Sequence, residues 1–180
     1  IAAEARTRRE HRIARHLRAL RDERGYSLDA LAERSGVSRS NISLIERGQS
    51  SPTATVLDKL ATGLGVTVAA LFDTPSDDAT AEPSPLARVA DQPLWTDPAS
   101  GYVRRNVSPP ASLTPIQLVD VRFPAGQRVA FETRSREAEV HQQVWMIDGQ
   151  MHITVGDVAW QLAAGDCLAM TLGQPIVFHN

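Results

Sequence analysis

The sequence predicts an α+β protein in two parts, an all-α domain of five helices over residues 1–72 and an antiparallel β domain over residues 89–180. Three observations predict it. Up to Phe72 the apolar residues recur at the three- and four-residue spacing of helices, with Ser, Gly or Pro marking the ends. Residues 73–85, DTPSDDATAEPSP, are acidic, rich in Pro, Ser and Ala and free of any buried pattern, so residues 73–88 are expected to be a flexible linker. Beyond them the period becomes alternating, and turn signals recur at short intervals. With 180 residues, 42% of them apolar and 22% charged, the chain is long enough for two small cores.

The first helix is predicted over residues 8–24, RREHRIARHLRALRDER, where Ile13, Leu17 and Leu20 share one face and Gly25 ends the run. Residues 27–49, SLDALAERSGVSRSNISLIERGQ, hold two short amphipathic helices around a Ser35-Gly36-Val37 turn. Leu28, Leu31 and Ala32 line the first, and Ile42 and Ile45 line the second. Ser27 and Ser38 precede them as N-caps, and Gly36 supplies the positive φ that the reversal requires. Ser51-Pro52-Thr53 opens a fourth helix with Pro in its first turn, carrying Val56, Leu57, Leu60 and Leu64 and stopped by Gly65. Val68, Leu71 and Phe72 close the core from a fifth short helix.

Two helices crossing at a tight turn form the layout of a helix-turn-helix DNA reader, whose second helix enters the major groove. Burying Ile42 and Ile45 leaves Arg39, Ser40, Asn41, Ser43, Leu44 and Arg47 mostly off the buried stripe. Arg pairs bidentately with guanine and Asn with adenine, which makes Arg39 and Asn41 the candidates for base contacts. Ser38, Ser40, Ser43 and Arg47 suit phosphate or mixed contacts at a helix N-terminus. The bland alternative, for the pair taken alone, is a solvated polar face. Charge separates the halves: residues 1–72 carry 12 Lys and Arg against 8 Asp and Glu, net +4, whereas residues 73–180 carry 7 against 13, net −6. Only the helical half suits a polyanion.

The stretch LRALRDERGYSLDALAERSGVSRSNISLIERGQSSPTATVLDKLATGLGVTVAALF is similar to the lambda-repressor-like, or XRE, family of helix-turn-helix regulators, over residues 12–72. The resemblance implies transcription regulation, with Ser38, Arg39, Ser40 and Asn41 at the major groove. It also implies a structural ion pair between Arg21 and Glu46 that can orient Arg21 toward a phosphate. Leu44 stands where the family commonly has a polar residue.

In the second half, strand-like runs cover residues 116–123, 140–147, 151–155, 158–162 and 167–172, between turns such as Asp148-Gly149 and Gly156-Asp157. Such spacing predicts a small antiparallel sandwich or barrel. The segments PAGQRVAF, VHQQVWMIDGQMHITVGD, LAAGDCLAM and PIVFHN resemble a cupin, a double-sheet jelly roll. Many cupins hold a metal through two His and one Glu of a first motif and a His of a second. The corresponding positions here are Arg136 or a neighbour, Ala138, Gln142 and Ile176, none of them His or carboxylate. No metal, cofactor or catalytic residue is therefore expected, and strand alternation places His141 on the face opposite Gln142. The other histidines of this half, His152 and His179, leave a displaced metal site to be weighed. A metal-free barrel interior is a ligand pocket in which Gln142, Val144 and Met146 are the lining candidates. Trp145 and Trp160 either cap it or pack elsewhere, and Cys167 is expected to be a small buried hydrophobe.

Both resemblances together point to the cupin-containing branch of XRE regulators, in which the barrel usually senses a metabolite and often supplies the dimer contact. The expected partners are double-stranded DNA, a small-molecule effector and a second copy of the chain. Two alternatives stand beside this: a metal-dependent cupin enzyme with a DNA-binding head, and a regulator whose β half only dimerises. The single cysteine fits a reducing cytoplasm, no run reaches membrane-spanning length, and the Arg-rich start lacks a signal peptide's apolar stretch. A chain beginning at Ile1 is expected to lack its natural start, and one ending at Asn180 in a strand-like run to lack a last strand or two.

Overall fold

The computed structural model describes residues 2–72, 84–110, 116–132 and 139–180, with side chains from residue 12 onward. Four helices come first: α1 (Ala2–Glu23), α2 (Leu28–Ser35), α3 (Arg39–Glu46) and α4 (Ala54–Leu64). The first begins six residues before its expected start. The expected fifth helix is a single 3₁₀ turn, Ala69–Phe72, because only four residues separate Val68 from the acidic stretch that follows.

The ends of these helices are chemically specified. Ser27 accepts from the Ala30 N–H, Ser38 from Asn41 and Thr53 from Val56. Gly36 and Gly65, both left-handed, close α2 and α4. Thr53 being the cap, Pro52 lies just before α4 and not in its first turn, where its ring is buried. Where α2 crosses α4 the backbones nearly touch. A Cβ on Gly63 would lie 2.8 Å from the Ser35 Cβ and 3.0 Å from its Cα and N, so no larger residue fits.

Among the described residues nine short strands follow, all antiparallel, in three sheets. The first sheet joins β1 (Leu94–Thr96), β2 (Val103–Asn106) and β3 (Val119–Arg122) in that order. The second runs β4 (Arg128–Phe131), β9 (Ile176–His179), β6 (Gln150–Val155), β7 (Val158–Ala163), and the third pairs β5 (Val140–Trp145) with β8 (Cys167–Leu172). The second and third sheets enclose a small core of Met151, Ile153, Leu162, Met170 and Ile176, with Val144, Met146, Leu168 and Phe178 against it. No helix among the described residues is long and apolar enough to cross a membrane.

The larger core belongs to both halves. Leu17, Leu31, Ile42, Ile45, Leu57, Leu60 and Leu71 are buried in one cluster with Trp95, Tyr102 and Val129 from the β domain. Four rings run across the junction: Phe72 meets Trp95 at 6.1 Å, Trp95 meets Tyr102 edge-on at 5.6 Å, and Tyr102 stacks on Phe123 at 5.6 Å. Burial pushes the Tyr102 phenol up to about 12, against the lowering influence of Arg104. Polar contacts reinforce the seam. Asp97, 2% exposed, accepts from the Ala54 N–H at the start of α4 (3.0 Å) and from the backbone and hydroxyl of Ser100. Asn106 donates to the Ala69 carbonyl, Thr55 to that of Ala130, and Lys59 pairs with Glu132. A tether explains none of this. The part of the expected linker at 73–83 lies outside the described residues, but the two halves it would separate are packed together.

Candidate nucleic-acid interface

Helix α3 is held from behind and open in front. Ile42 and Ile45 are essentially fully buried, which orients the eight-residue helix and turns Ser38, Arg39, Ser40 and Leu44 to solvent, with Asn41 and Ser43 half-exposed. Ser38 caps the helix through the Asn41 N–H and shares a hydrogen bond with the Ser40 hydroxyl. The N-terminal N–H groups and two hydroxyls therefore converge at one exposed end, an arrangement that suits an anionic oxygen. Arg39 extends beside it and pairs with Asp29 of α2 at 3.2 Å, both side chains well over half exposed. Such a solvated pair contributes little and yields easily to a better acceptor. At the other end of the face Arg47 donates to Ser43 and to Gln49 at 3.0 Å, which fixes its guanidinium along the helix flank. Leu44, 38% exposed between these groups, offers an apolar surface of the kind that meets a thymine methyl. Asp29 and Gln49, which sequence reasoning did not single out, hold the two arginines; their signal lies only in proximity through the turn.

Behind the interface, Arg21 and Glu46 form a bidentate pair, Nε to Oε1 at 2.7 Å and Nη2 to Oε2 at 2.9 Å. Nη1 donates to the Tyr26 carbonyl at 2.8 Å and lies 2.8 Å from Asp22. The hydrogen bond to Glu46 raises the Arg21 pKa above the ordinary guanidinium value, against an opposing effect of desolvation. The side chain is only 11% exposed, so its donors are committed to clamping α1, the α1–α2 turn and α3. A neighbouring clamp runs from Arg34, over the Tyr26 ring at 4.8 Å, to the Gly63 carbonyl.

In the β domain Gln142, Val144 and Met146 face inward and are half-buried, Val144 and Met146 against the small core. Gln142 lies opposite Met170 on β8. His141 faces outward beside Glu139 and Thr171. One expectation changes. Cys167 is exposed, because in the β5–β8 register it lies opposite Trp145 on the outer face. Trp145, 66% exposed on that face, caps no interior, and Trp160 belongs to the inner face of edge strand β7, where it remains 39% exposed. The positions matched to metal ligands near Arg136 and Ala138 lie outside the described residues. Among the described residues no three His, Cys, Asp or Glu side chains converge.

The helix-turn-helix family HTH_3 matches residues 17–71. The HTH-type transcriptional regulator SutR of Escherichia coli (strain K12) is 32% identical over 168 residues, an alignment spanning 91% of this chain and 84% of that protein. The HTH-type transcriptional regulator SinR of Bacillus subtilis (strain 168) is 42% identical over 62 residues, 34% of this chain and 56% of that protein. Among solved structures, an HTH_3 family transcriptional regulator from Vibrio cholerae shares the fold, with a TM-score of 0.74 at 24% identity over 96% of this chain and 90% of that one.

Proposed function

The chain belongs to the HTH_3 (XRE-like) family of helix-turn-helix transcriptional regulators, and from that premise we propose that α3 reads an operator in the major groove while the β domain senses a small molecule. The observation that carries the reading is the exposed N-terminal half of α3, offered to solvent by a helix whose opposite side is buried. In this assignment Arg39 and Asn41 contact bases, and Ser38, Ser40, Ser43 and Arg47 contact phosphates or serve both. Arg21 and Glu46 hold the reading helix at its angle. A two-fold dimer places two such helices on half-sites about 34 Å apart, or a multiple of that.

The effector lies between the two sheets of the β domain, with Gln142 as its polar anchor and Val144 and Met146 as apolar wall. Coupling passes through the seam, where Asp97 caps the helix that follows the reading helix. A differential affinity of about 1–3 kcal/mol between the seam's arrangements changes operator occupancy several-fold. The exposed Trp145 and Ile147 favour a second reading, in which the β domain serves only to pair two copies of the chain.

Selection of bound fragments from a genomic library by the full chain, followed by titration of the enriched duplex, tests the DNA reading. Affinity that falls steeply with added salt supports it; equal and negligible binding to every duplex overturns it. A thermal-shift screen of small metabolites separates the two roles of the β domain, since only a sensor is stabilised by mass action.

A further inference from the structure

We propose that the outer face of the four-stranded sheet is a second binding site, for a compact polyanion, held by a row of Arg128, His179 and His152. Strand register assembles this row from three segments distant in sequence. Arg128 lies opposite His179, and His179 opposite His152. Neighbouring strands are about 4.8 Å apart, so the row spans roughly 10 Å. The two imidazoles stand 6.3 Å apart, centre to centre.

Beside the row the next rung has short or β-branched side chains, Ala130, Val177, Thr154 and Ala159, and here the face forms an open depression of about 460 Å³ walled by Arg128, His152, Thr154, Val177 and His179. No side-chain hydrogen bond or ion pair joins Arg128, His152 or His179 to another described residue. Three nitrogen-bearing side chains thus line a hollow with donors that no described residue takes up, while Thr154 adds a hydroxyl.

The surroundings decide the sign of the ligand. Edge strand β7 contributes Ala159, Gln161 and Ala163 to this face and no charge. Among the described residues the nearby carboxylates are Glu132, paired with Lys59 beyond the far end of β4, Asp166, which accepts from the Ala163 N–H, and Asp157, in the β6–β7 turn. With a guanidinium in the row and no carboxylate in it, a metal cation is repelled and an anion with several acceptor oxygens is favoured. A phosphate group and a tricarboxylate share this chemistry and differ in how much of the row they cover.

The test follows the imidazole resonances of the full chain by NMR during titration with inorganic phosphate and, separately, citrate, at constant ionic strength and constant pH. Saturable shifts at His152 and His179, with His141 unmoved, support the site. Citrate tighter than phosphate assigns a ligand that spans the row, and equal affinity a single oxyanion. R128Q, at an exposed position, weakens binding by about tenfold and R128K by less, because a lysine keeps the charge without the fork. The proposal is overturned if neither anion gives a saturable shift, if R128Q binds as the parent chain does, or if zinc chloride alone perturbs both imidazoles at lower concentration than either anion. Because the row is remote from α3, the operator titration remains an independent readout.

Discussion

Replacing Asp97 by Ala tests whether the two halves are one cooperative unit. The carboxylate accepts from the Ala54 N–H, the Ser100 N–H and the Ser100 hydroxyl while only 2% exposed. Removing it orphans two buried backbone donors, at about 2 kcal/mol each, while the relief of a buried charge returns about 1 kcal/mol, for a net loss near 3 kcal/mol. Asp97→Asn keeps an acceptor for Ala54 but turns an amide toward a donor at Ser100, at about 2 kcal/mol. Urea unfolding followed by far-ultraviolet circular dichroism reports mainly the helices, whereas tryptophan fluorescence includes Trp95 at the seam. With a slope of about 2 kcal/mol per molar, the Ala midpoint falls by about 1.5 M in both signals together. A helical transition that stays in place while fluorescence shifts would refute the reasoning, as would a loss below about 1 kcal/mol.

Gly63→Ala drives a Cβ into the Ser35 backbone, and because the gain in helix propensity offsets only part of that clash, the net loss is about 2 kcal/mol, visible as a melting temperature lower by about 4–8 °C. On the enriched duplex, Arg39→Ala costs about 1–3 kcal/mol and relaxes preference at one base pair, whereas Arg47→Ala weakens all sequences alike and lowers the salt slope by about 1, both read by fluorescence anisotropy. An unchanged sequence preference in the Arg39 variant would remove it from the base contacts. Tyr102 is raised from 10.0 to about 12 in the folded chain, so its contribution to stability is complete below pH 10 and is lost as pH climbs toward 12. Alkaline absorbance titration resolves this late phenolate step, which Tyr102→Phe abolishes.

Much of the helical half was legible because its punctuation is local. Ser27, Ser38, Gly36 and Gly65 act within one turn of themselves, and the stripes of Ile42, Ile45, Leu57 and Leu60 follow from period alone. The runs that form β5 to β8, six residues each, were visible for the same reason, and alternation placed Gln142 and His141 on opposite faces. Strands β1, β2 and β4 have three or four residues, too few to display a period, and two of them carry arginines. The seam was illegible because Trp95, Tyr102 and Asp97 stand outside any repeating pattern and gain meaning only beside Phe72 and Ala54. Cys167 was misplaced for a related reason: a small residue carries no signal of face until its strand register is known. The row of Arg128, His179 and His152 likewise requires the pairing of three strands far apart in the chain.

The common core also bears on engineering. Cutting this chain between residues 72 and 89 to graft a different receiver onto the reading head severs Phe72 and Leu71 from Trp95 and Tyr102 and strips the first turn of α4 of its carboxylate. Chimeras joined there inherit a raw apolar wound and aggregate, whereas a splice that carries residues 94–106 along with the head transplants the sealing strands as well.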